Sequence, residues 1–321
     1  MNYTTTLTNS EPIVVTIGNF DGIHRGHQHL LQRLHSLAGQ LHSKPVLVTF
    51  TPHVLMVLRP DIYVQYLTTL EEKLQIAHQT GYIQDTIVIN FTPEVAALSA
   101  EDFMDQLCQR FQIRGMVVGS NFSLGHNRTG NVAFLQGYGQ RHGIEVQSVS
   151  LEEAGQERIS STRIRTLVSE GQVEEANRLL GHPVQVGGIV IHGDQRGRVL
   201  GFPTANVRPD PHKLLPANGV YAARVFISKQ ESPESDGQAI SPVYNGVVNI
   251  GIRPTFNGKE RLVEAHLLDA KLDLYDAYIV IEFIARLRGE QRFPGIEALK
   301  AQIEADSQQA RHILALRSVS N

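Results

Sequence analysis

The chain has 321 residues, of which 41% are hydrophobic and 19% are charged, and its formal net charge is −3. This length is sufficient for two domains, and so small a charge gives no general affinity for nucleic acid or for an anionic membrane surface. A single cysteine, Cys108, excludes an internal disulfide framework and a cysteine-based zinc site. No apolar run approaches the ~20 residues that cross a bilayer, and the first residues lack a signal-peptide pattern, so we expect a soluble cytoplasmic protein.

Short apolar segments alternate with helical segments in the first half of the chain. The segments that we expect to be buried strands are "IVVTIG" (13–18), "PVLVTF" (45–50), "DTIVINF" (85–91) and "GMVVG" (115–119). Between the first two, leucines at helical spacing from Leu30 to Leu41 predict an amphipathic helix. This alternation predicts a Rossmann-like α/β domain, in which helices cover both faces of a parallel sheet. Ligands of such sheets bind at the carboxyl ends of the strands, where residues 19–27 would lie.

The pattern changes near residue 183, after two short predicted helices that end at Gly181. Strand-like segments follow, separated by loops rich in proline, glycine and aspartate: "VQVGGIVIHG", "GVYAARVFIS", "VYNGVVNIG" and "AYIVIEFIARLR". They predict an antiparallel sheet or β-barrel, and a terminal amphipathic helix follows from Ile296 to Leu314. We therefore expect two domains, residues 1–182 and residues 183–321.

The segment "GNFDGIHRGHQHLL" (18–31) carries two histidines at the predicted turn from strand to helix. His24 and His27 are three residues apart, so both imidazoles share one face of the first helical turn. Free N–H groups and the helix dipole attract anions there, and Gly26 leaves room for a nucleotide to approach. The alternative is a surface helix that begins with two solvated histidines.

The segment "RISSTRIR" (158–165) has the composition of a second phosphate site. Ser161 and Thr162 stand at the start of another predicted helix, and guanidinium groups surround them. The arginines concerned are Arg158, Arg163 and Arg165. Hydroxyls, free N–H groups and guanidiniums together bind phosphate, although an ordinary helix cap with solvated arginines is the alternative. With the histidine pair, this segment resembles the nucleotidylyltransferase superfamily, which implies nucleotidyl transfer from ATP with pyrophosphate as the leaving group.

In the second half, the segment "GDQRGRVLGFPTANV" (193–207) ends on two oxygen-bearing side chains. Thr204 and Asn206 are two residues apart on an extended segment and therefore point to the same side, an arrangement that suits Mg²⁺ with nucleotide phosphates. The alternative is a structural turn, and no Walker A sequence is present. Glu264, in the strand-like "VEAHLLD", is either a solvent-facing carboxylate or a general base that takes a proton from a substrate hydroxyl.

The whole chain resembles the bacterial bifunctional riboflavin kinase/FAD synthetases over residues 12–312. The motifs in its first half are "IGNFDGIHRGHQ", "FTPH", "LTTLEEK", "VVGSNFSLGHNRTGN" and "ISSTRIR". Those in its second half are "GRVLGFPTAN", "NGVY", "NIGIRPTF", "EAHLLD" and "RGEQRF". Each motif alone is weak, but the ordered set is specific.

This resemblance implies two ATP-dependent reactions. The C-terminal β-barrel domain would phosphorylate the ribityl 5′-hydroxyl of riboflavin with ATP and Mg²⁺, and the N-terminal domain would transfer AMP from a second ATP to FMN. The implied partners are the small molecules ATP, riboflavin and FMN, with no nucleic acid and no membrane. Whether the protein is a monomer or a weak homo-oligomer is left open.

The resemblance also implies roles for individual residues. His24 and His27 would act on the ATP phosphates, Glu264 would be the base of the kinase, and Thr204 and Asn206 would bind Mg²⁺. The other residues expected to bind ATP or its phosphates are Gly18, Phe20, Asp21, Gly26, Arg158, Ser161, Thr162, Arg165, Gly197 and Gly201. Those expected to bind the flavin are Asn121, Phe122, Arg288 and Phe293.

Some positions depart from the commonest pattern of this family. Val54 stands where a proline often follows the Pro-His pair, Asn121 and Asn131 stand where many relatives carry aspartate, and Ser123 replaces a frequent arginine. These departures concern the contacts to FMN. The rival interpretations are an adenylyltransferase for another phosphorylated acceptor and a flavin- or nucleotide-binding protein without catalysis. The second domain argues against the first rival. The second rival is disfavoured because binding alone requires no base, whereas the chain has His24, His27, Thr204, Asn206 and Glu264. A nucleic-acid-binding module is a third rival, and the absence of a basic surface with interleaved aromatic residues argues against it.

Overall fold

The structure, a computed structural model, describes residues 1–8, 11–150, 159–193, 201–228, 243–255, 258–270 and 272–316, with the backbone alone at 228, 253–255 and 258–260. The chain forms two compact units, Met1–Ser161 and Thr162–Asn321. The predicted functional domains, residues 1–182 and residues 183–321, stay a prediction. Among the described residues, no helix combines the length and apolar character that crossing a membrane requires.

The first unit is built on a six-stranded sheet with the order β1-β4-β3-β2-β5-β8. Its strands are β1 (Tyr3–Thr4), β2 (Pro12–Ile17), β3 (Lys44–Thr51), β4 (Asp85–Asn90), β5 (Gln112–Gly119) and β8 (Glu145–Val149), and a hairpin is formed by β6 (Ser123–Leu124) and β7 (Gly130–Asn131). The helices are α1 (Arg25–Gln40), α2 (Val54–Leu58), α3 (Leu70–Gln79), α4 (Pro93–Ala97), α5 (Ala100–Arg110) and α6 (Val132–His142), with a 3-10 turn at His126–Arg128. All the paired strands of the sheet are parallel except β1, which runs antiparallel to β4 at the edge. This confirms the predicted parallel sheet.

Strand β2 shows why its sequence is apolar without alternation. Val14 packs into the core that includes Leu31 and Leu34 of α1, whereas Val15 packs into the core that includes Phe103 of α5. Both faces of the strand are therefore buried under helices, which requires apolar side chains at successive positions.

The second unit contains a closed antiparallel barrel with the strand order β10-β13-β12-β11-β14-β9. Its strands are β9 (Val184–Ile191), β10 (Ala205–Pro209), β11 (Gly219–Ser228), β12 (Val243–Thr255), β13 (Gly258–Leu267) and β14 (Tyr278–Arg288). Helices α7 (Ser161–Ser169) and α8 (Val173–Leu180) precede the barrel, and α9 (Ile296–Leu316) follows it. The barrel and the terminal helix confirm the predicted fold class.

Helix α9 covers part of the outer surface of the barrel. Its Ala310 and Leu314 pack against Val220, Ala222 and Val247. The predicted apolar stripe is buried at Leu314 and half-buried at Leu299 and Ile303, whereas its first residue, Ile296, is 61% exposed. The helix instead buries Asp306, which is 3% exposed.

Candidate active sites of the two units

The strand order of the first unit creates a crevice beside β2. Strands β3 and β4 follow on one side of β2, and β5 and β8 follow on the other side, so the direction of chain progression reverses between β2 and β5. Ligands of open α/β sheets bind at the carboxyl ends of the strands at such a reversal. Residues 18–24 follow β2 at this point, and residues 120–122 follow β5.

The turn from β2 to α1 has an unusual backbone. Phe20, Gly22 and Ile23 have φ values of 50°, 86° and 38°. Positive φ costs glycine little, but it costs each other residue about 1–3 kcal/mol and persists only where the surroundings impose it. The contacts of this turn supply that constraint.

Asp21 anchors the turn from inside the protein. Its side chain is 2% exposed, and Oδ1 accepts hydrogen bonds from the backbone N–H groups of Leu67 (2.9 Å) and Thr68 (3.0 Å). The hydroxyl of Thr68 in turn accepts a hydrogen bond from the Gly22 N–H at 3.0 Å. Asp21 thus holds the turn in place, and its predicted role at the phosphate site stays a prediction.

His24 and His27 lie together at the start of α1, as their spacing predicts. His24 is the N-cap, and its Nδ1 accepts a hydrogen bond from the His27 N–H at 3.3 Å. The two rings are stacked with their centroids 3.6 Å apart. Because Nδ1 of His24 is an acceptor, the proton of its neutral ring is on Nε2.

Three neighbouring residues support this imidazole pair. The Phe20 ring packs 4.9 Å from that of His27, measured between centroids. A Cβ atom at Gly18 would lie 2.9 Å from the Phe20 ring, so this glycine leaves the space that the ring fills. Gly26 is buried in the first turn of α1. Gly18, Phe20 and Gly26, which were predicted to bind the nucleotide, thus help to shape the surroundings of the two histidines.

The surroundings of His27 favour its neutral form. Burial is the main cause that holds its pKa well below the ordinary histidine value, and the nearby His24 and the ammonium of Lys73 lower this pKa further. His27 Nδ1 is buried and has no hydrogen-bond partner among the described residues. At neutral pH His27 therefore offers an uncharged imidazole.

Ser161 contacts the same turn. Its Oγ donates a 2.9 Å hydrogen bond to the main-chain oxygen of Asp21, across 140 residues of sequence. Thr162 and Arg165 follow Ser161 along α7 and belong to the second unit, so their predicted phosphate contacts stay predictions. Arg158 lies outside the described residues.

The predicted flavin residues Asn121 and Phe122 lie in the turn after β5, across the crevice from the histidines. Asn121 is exposed, whereas Phe122 packs against the core under α5 and α6. The β6–β7 hairpin follows, and Asn131 ends it as the N-cap of α6, accepting a 3.0 Å hydrogen bond from the Phe134 N–H. Asparagine and aspartate cap helices about equally well, so the departure at Asn131 preserves the local structure.

Sequence reasoning did not single out four other residues near this turn. Asn19 Nδ2 contacts His53 Nε2, and Asn19 O accepts a hydrogen bond from Thr49 Oγ1 at 3.3 Å. Thr49 Oγ1 in turn accepts one from Lys73 Nζ at 3.2 Å. The motifs "FTPH" and "LTTLEEK" contain His53 and Lys73, and this membership was the only available signal.

In the second unit, strand register aligns the predicted site residues in one row on the barrel. Asn206 of β10 is paired with Glu264 of β13, and Glu264 is paired with Asn249 of β12. The row continues from Asn249 to Val220 of β11 and then to Arg288 of β14. Directly paired residues point to the same side of a sheet, about 4.8 Å from one strand to the next. Glu264 is therefore flanked by two asparagines.

The neighbouring amide fixes the orientation of the Glu264 carboxylate. Asn249 Nδ2 donates a hydrogen bond to Glu264 Oε2 at 3.3 Å. This contact was not predicted, because the two residues are 15 positions apart and only the pairing of β12 with β13 brings them together. The other carboxylate oxygen has no such bond to Asn249 and can accept a proton.

Thr204 and Asn206 line a cavity of about 630 Å³. Gly193 and Gly201 line it as well, together with residues 272–275 and the buried Ala265. Hydroxyl and amide oxygens are hard ligands, and Mg²⁺ in phosphoryl-transfer sites uses one or two protein oxygens with substrate phosphates and water. The donor set and the space thus fit Mg²⁺ bound to a nucleotide, while Gly197, the other predicted glycine, lies outside the described residues.

Gly193 offers a test of the Asn206 position. A Cβ atom at this glycine would lie 2.2 Å from Asn206 Nδ2 and 2.5 Å from its Cγ. We expect Gly193→Ala to displace this amide. The riboflavin phosphorylation that the resemblance implies should then fall about tenfold, because a small misplacement of a substrate-positioning group lowers the reaction rate. Kinase rate and thermal unfolding should be measured together. In the control Gly295→Ala, a Cβ meets no atom within 4 Å, so activity should be unchanged; equal rates in both variants would contradict the prediction.

Arg288 and Phe293, the predicted flavin residues of this unit, contact each other. The Arg288 guanidinium carbon lies 5.7 Å from the centroid of the Phe293 ring. The same guanidinium forms a two-pronged ion pair with the buried Asp306 of α9, with its shortest N–O distance at 2.8 Å. Arg288 is thus held by Asp306 at the end of the Glu264 row, and the aromatic ring of Phe293 lies beside it.

In comparisons with known proteins, the two halves of the chain match two different family models. The family model described as FAD synthetase matches residues 6–163, and the one described as riboflavin kinase matches residues 180–314. The chain is 39% identical over 308 residues to the bifunctional riboflavin kinase/FMN adenylyltransferase of Escherichia coli (strain K12), with 95% of this chain and 94% of that protein covered. It is 35% identical to the protein of the same name from Listeria monocytogenes, with 94% and 92% covered.

The likeness extends to a solved structure. A crystal structure described as a macrolide-efflux protein from Streptococcus pneumoniae matches with a TM-score of 0.82 and 28% identity. The match covers 95% of this chain and 96% of the other. The agreement in fold therefore spans both units in the same order.

Proposed function

The chain belongs to the bifunctional riboflavin kinase/FMN adenylyltransferase family, and from this premise we propose which of its residues carry the two reactions. Riboflavin and ATP give FMN and ADP, and FMN with a second ATP gives FAD and pyrophosphate. We assign the second reaction to the crevice beside β2 and the first to the Glu264 row on the barrel. Both reactions use small-molecule substrates, and the proposal assumes a cytoplasmic setting without nucleic acid or membrane.

In adenylyl transfer, a phosphate oxygen of FMN attacks the α-phosphorus of ATP, and the bond to the β-phosphate oxygen breaks. The attacking oxygen is already anionic, so the step needs no general base. It needs instead fixed positive potential, because negative charge moves onto the departing pyrophosphate. The stacked imidazoles of His24 and His27 at the N-terminus of α1 can supply this potential through N–H donors and the helix dipole.

Further phosphate contacts in this site are proposed for Ser161, Thr162 and Arg165, and for Arg158. The support for Ser161 is its hydrogen bond to the turn at Asp21. Asn121 and Phe122 are proposed to bind FMN, since they follow β5 at the opposite side of the crevice. Gly18, Phe20 and Gly26 give the imidazole pair its shape.

In the kinase reaction, the 5′-hydroxyl of riboflavin must lose its proton as it attacks the γ-phosphorus of ATP. The observation that carries this assignment is the position of Glu264 between Asn206 and Asn249 on neighbouring strands. The Asn249 amide holds one carboxylate oxygen, and the other can accept the proton. Arg288 and Phe293 are proposed to border the flavin, the ring of Phe293 providing an apolar face.

Mg²⁺ is proposed to be held by Thr204 and Asn206, with Gly197 and Gly201 close to the nucleotide phosphates. When bound, the ion would neutralise phosphate charge. The two side chains orient the nucleotide in the cavity, and Asn206 is held beside Glu264 by the register of β10 and β13. The distance between the proposed base and the proposed metal ligand is therefore set by one strand spacing.

The proposal is tested by incubating the purified chain with riboflavin, ATP and Mg²⁺ and separating the flavins by chromatography. FMN and FAD should both appear, and FMN with ATP should give FAD and pyrophosphate. A chelator should stop both reactions, and excess Mg²⁺ should restore them. If neither product forms, the assignment fails; if only an acceptor other than FMN is adenylylated, the rival adenylyltransferase is correct.

A further inference from the structure

Lys73 of α3 is a buried cation close to the turn that carries the histidines. It is 5% exposed, and its ammonium donates a 3.2 Å hydrogen bond to Thr49 Oγ1 near the carboxyl end of β3. Thr49 Oγ1 donates in turn to Asn19 O, the residue after Gly18 in the turn. The ammonium therefore lies one side chain away from the backbone of the proposed phosphate site.

This charge has no anionic partner in the described part of the chain. No described carboxylate lies within 4.0 Å of Nζ, and Thr49 is its only hydrogen-bond partner there. Asp21 acts on Lys73 from a longer distance, but its carboxylate oxygens accept backbone hydrogen bonds from residues 67 and 68. An ammonium has three donors, so two N–H groups of Lys73 are without a described partner.

Keeping such a charge inside the protein is unfavourable without a compensating function. Burial lowers the pKa of Lys73 to about 8, although Asp21 opposes the shift. A methionine of similar length would avoid this desolvation. The neighbouring His27 adds no negative charge, since it is an imidazole whose pKa the ammonium itself lowers. Among the described residues, Lys73 therefore has no anion within ion-pair distance, and the more distant Asp21 only partly offsets the cost of burial.

We propose that Lys73 is a phosphate-binding residue of the adenylyl-transfer site, whose ammonium pairs with the triphosphate of ATP. The inference rests on the proposed function and deepens it by adding a third cationic or N–H donor group beside His24 and His27. Lys73 extends from α3 to Thr49 of β3, so this contact would come from a different helix than the one that carries the histidines. ATP supplies the anion that the buried charge lacks.

The first test compares Lys73→Met with Lys44→Met. Lys44 is in the same unit, but its side chain is 42% exposed and pairs with Glu11 at the surface. We expect Lys73→Met to lower kcat/KM for ATP in FAD formation from FMN about 30-fold, the loss of one charge-assisted hydrogen bond. Lys44→Met should leave it unchanged. Riboflavin phosphorylation by the second unit is an internal control and should stay at the wild-type rate in both variants.

Thermal unfolding distinguishes phosphate binding from a structural role. Removal of an uncompensated buried charge should leave the unfolding temperature of Lys73→Met equal to or above that of the wild type. A fall in stability together with FAD formation within threefold of wild type would overturn the proposal. So would wild-type kinetics with unchanged stability. If the wild type itself forms no FAD, the proposed function fails and not this inference alone.

A pH profile of the wild type gives a test that requires no substitution to fold. The ammonium is charged below its pKa of about 8, so kcat/KM for ATP in FAD formation should fall as pH rises through this value. The other charged or titratable groups that face Lys73 are Asp21 from the turn and His27 from α1, and the lowered pKa of His27 lies far below this range. Lys73→Arg, whose guanidinium stays charged, should move the fall to higher pH. A flat wild-type profile between pH 7 and 9.5, or an identical fall in Lys73→Arg, would overturn the proposal.

Discussion

FMN formation from riboflavin falls about 1000-fold when Glu264 is replaced by glutamine, whereas FAD formation from added FMN continues at the wild-type rate. This is the result we expect, because the amide cannot accept the proton of the 5′-hydroxyl. Glutamine keeps the size of the side chain and can still contact Asn249, which hydrogen bonds to Glu264 Oε2 at 3.3 Å. The loss should therefore appear in kcat more than in KM.

Chromatography of the flavins measures both reactions on one protein sample. Glu282→Gln is the matched control, because Glu282 is a half-buried carboxylate of the same barrel. Its Oε1 accepts a 3.0 Å hydrogen bond from Gln185, and it lies outside the Glu264 row. This control should keep its kinase activity. A Glu264→Gln protein that phosphorylates riboflavin at more than a tenth of the wild-type rate would rule out Glu264 as the base.

The converse result is expected for His27→Ala, which should lower FAD formation about 300-fold and leave FMN formation unchanged. The imidazole lies at the N-terminus of α1, stacked on His24 at 3.6 Å, where its donor would meet the phosphate that develops charge. Loss of one preorganised donor of this kind costs about 100- to 1000-fold. The second unit has its own site, so the kinase step should not respond.

His29→Ala is the control for this variant. His29 is on the same helix, two residues further on, and therefore points away from the face shared by His24 and His27. Its loss should change neither activity. If His27→Ala abolished both reactions while circular dichroism and unfolding stayed normal, the assignment of the two reactions to separate sites would be wrong.

The pH dependence of FAD formation provides a second check on His27. The pKa of His27 is held well below the ordinary value, mainly by burial, so this imidazole is neutral at pH 6.5 and above. Its protonation would contribute only on the acid side of that range. A loss of FAD formation at acid pH would therefore report on His27, whereas a loss at alkaline pH would report on the ionisation of Lys73.

The spacing of residues along the sequence was sufficient to predict that the two histidines lie together and which fold supports them. His24 and His27 are three residues apart at a helix start, and the helix period alone puts their rings on one face. The alternation of buried strands with amphipathic helices likewise predicted the parallel sheet. The ordered motifs indicated the family, which the family comparisons confirm. These features depend on neighbours in the chain, which a sequence displays directly.

Only the tertiary structure decided the partners of the charged residues. Asp21 accepts hydrogen bonds from backbone N–H groups 46 and 47 residues away, and Asn249 meets Glu264 only through the register of β12 and β13. Lys73 resembles an exposed helical lysine in the sequence, yet the packing of α3 buries it, and the apolar pattern of α9 did not predict the buried Asp306 opposite Arg288. Burial and register depend on which distant segments pack together, and this long-range pairing leaves no periodic signal in a single chain.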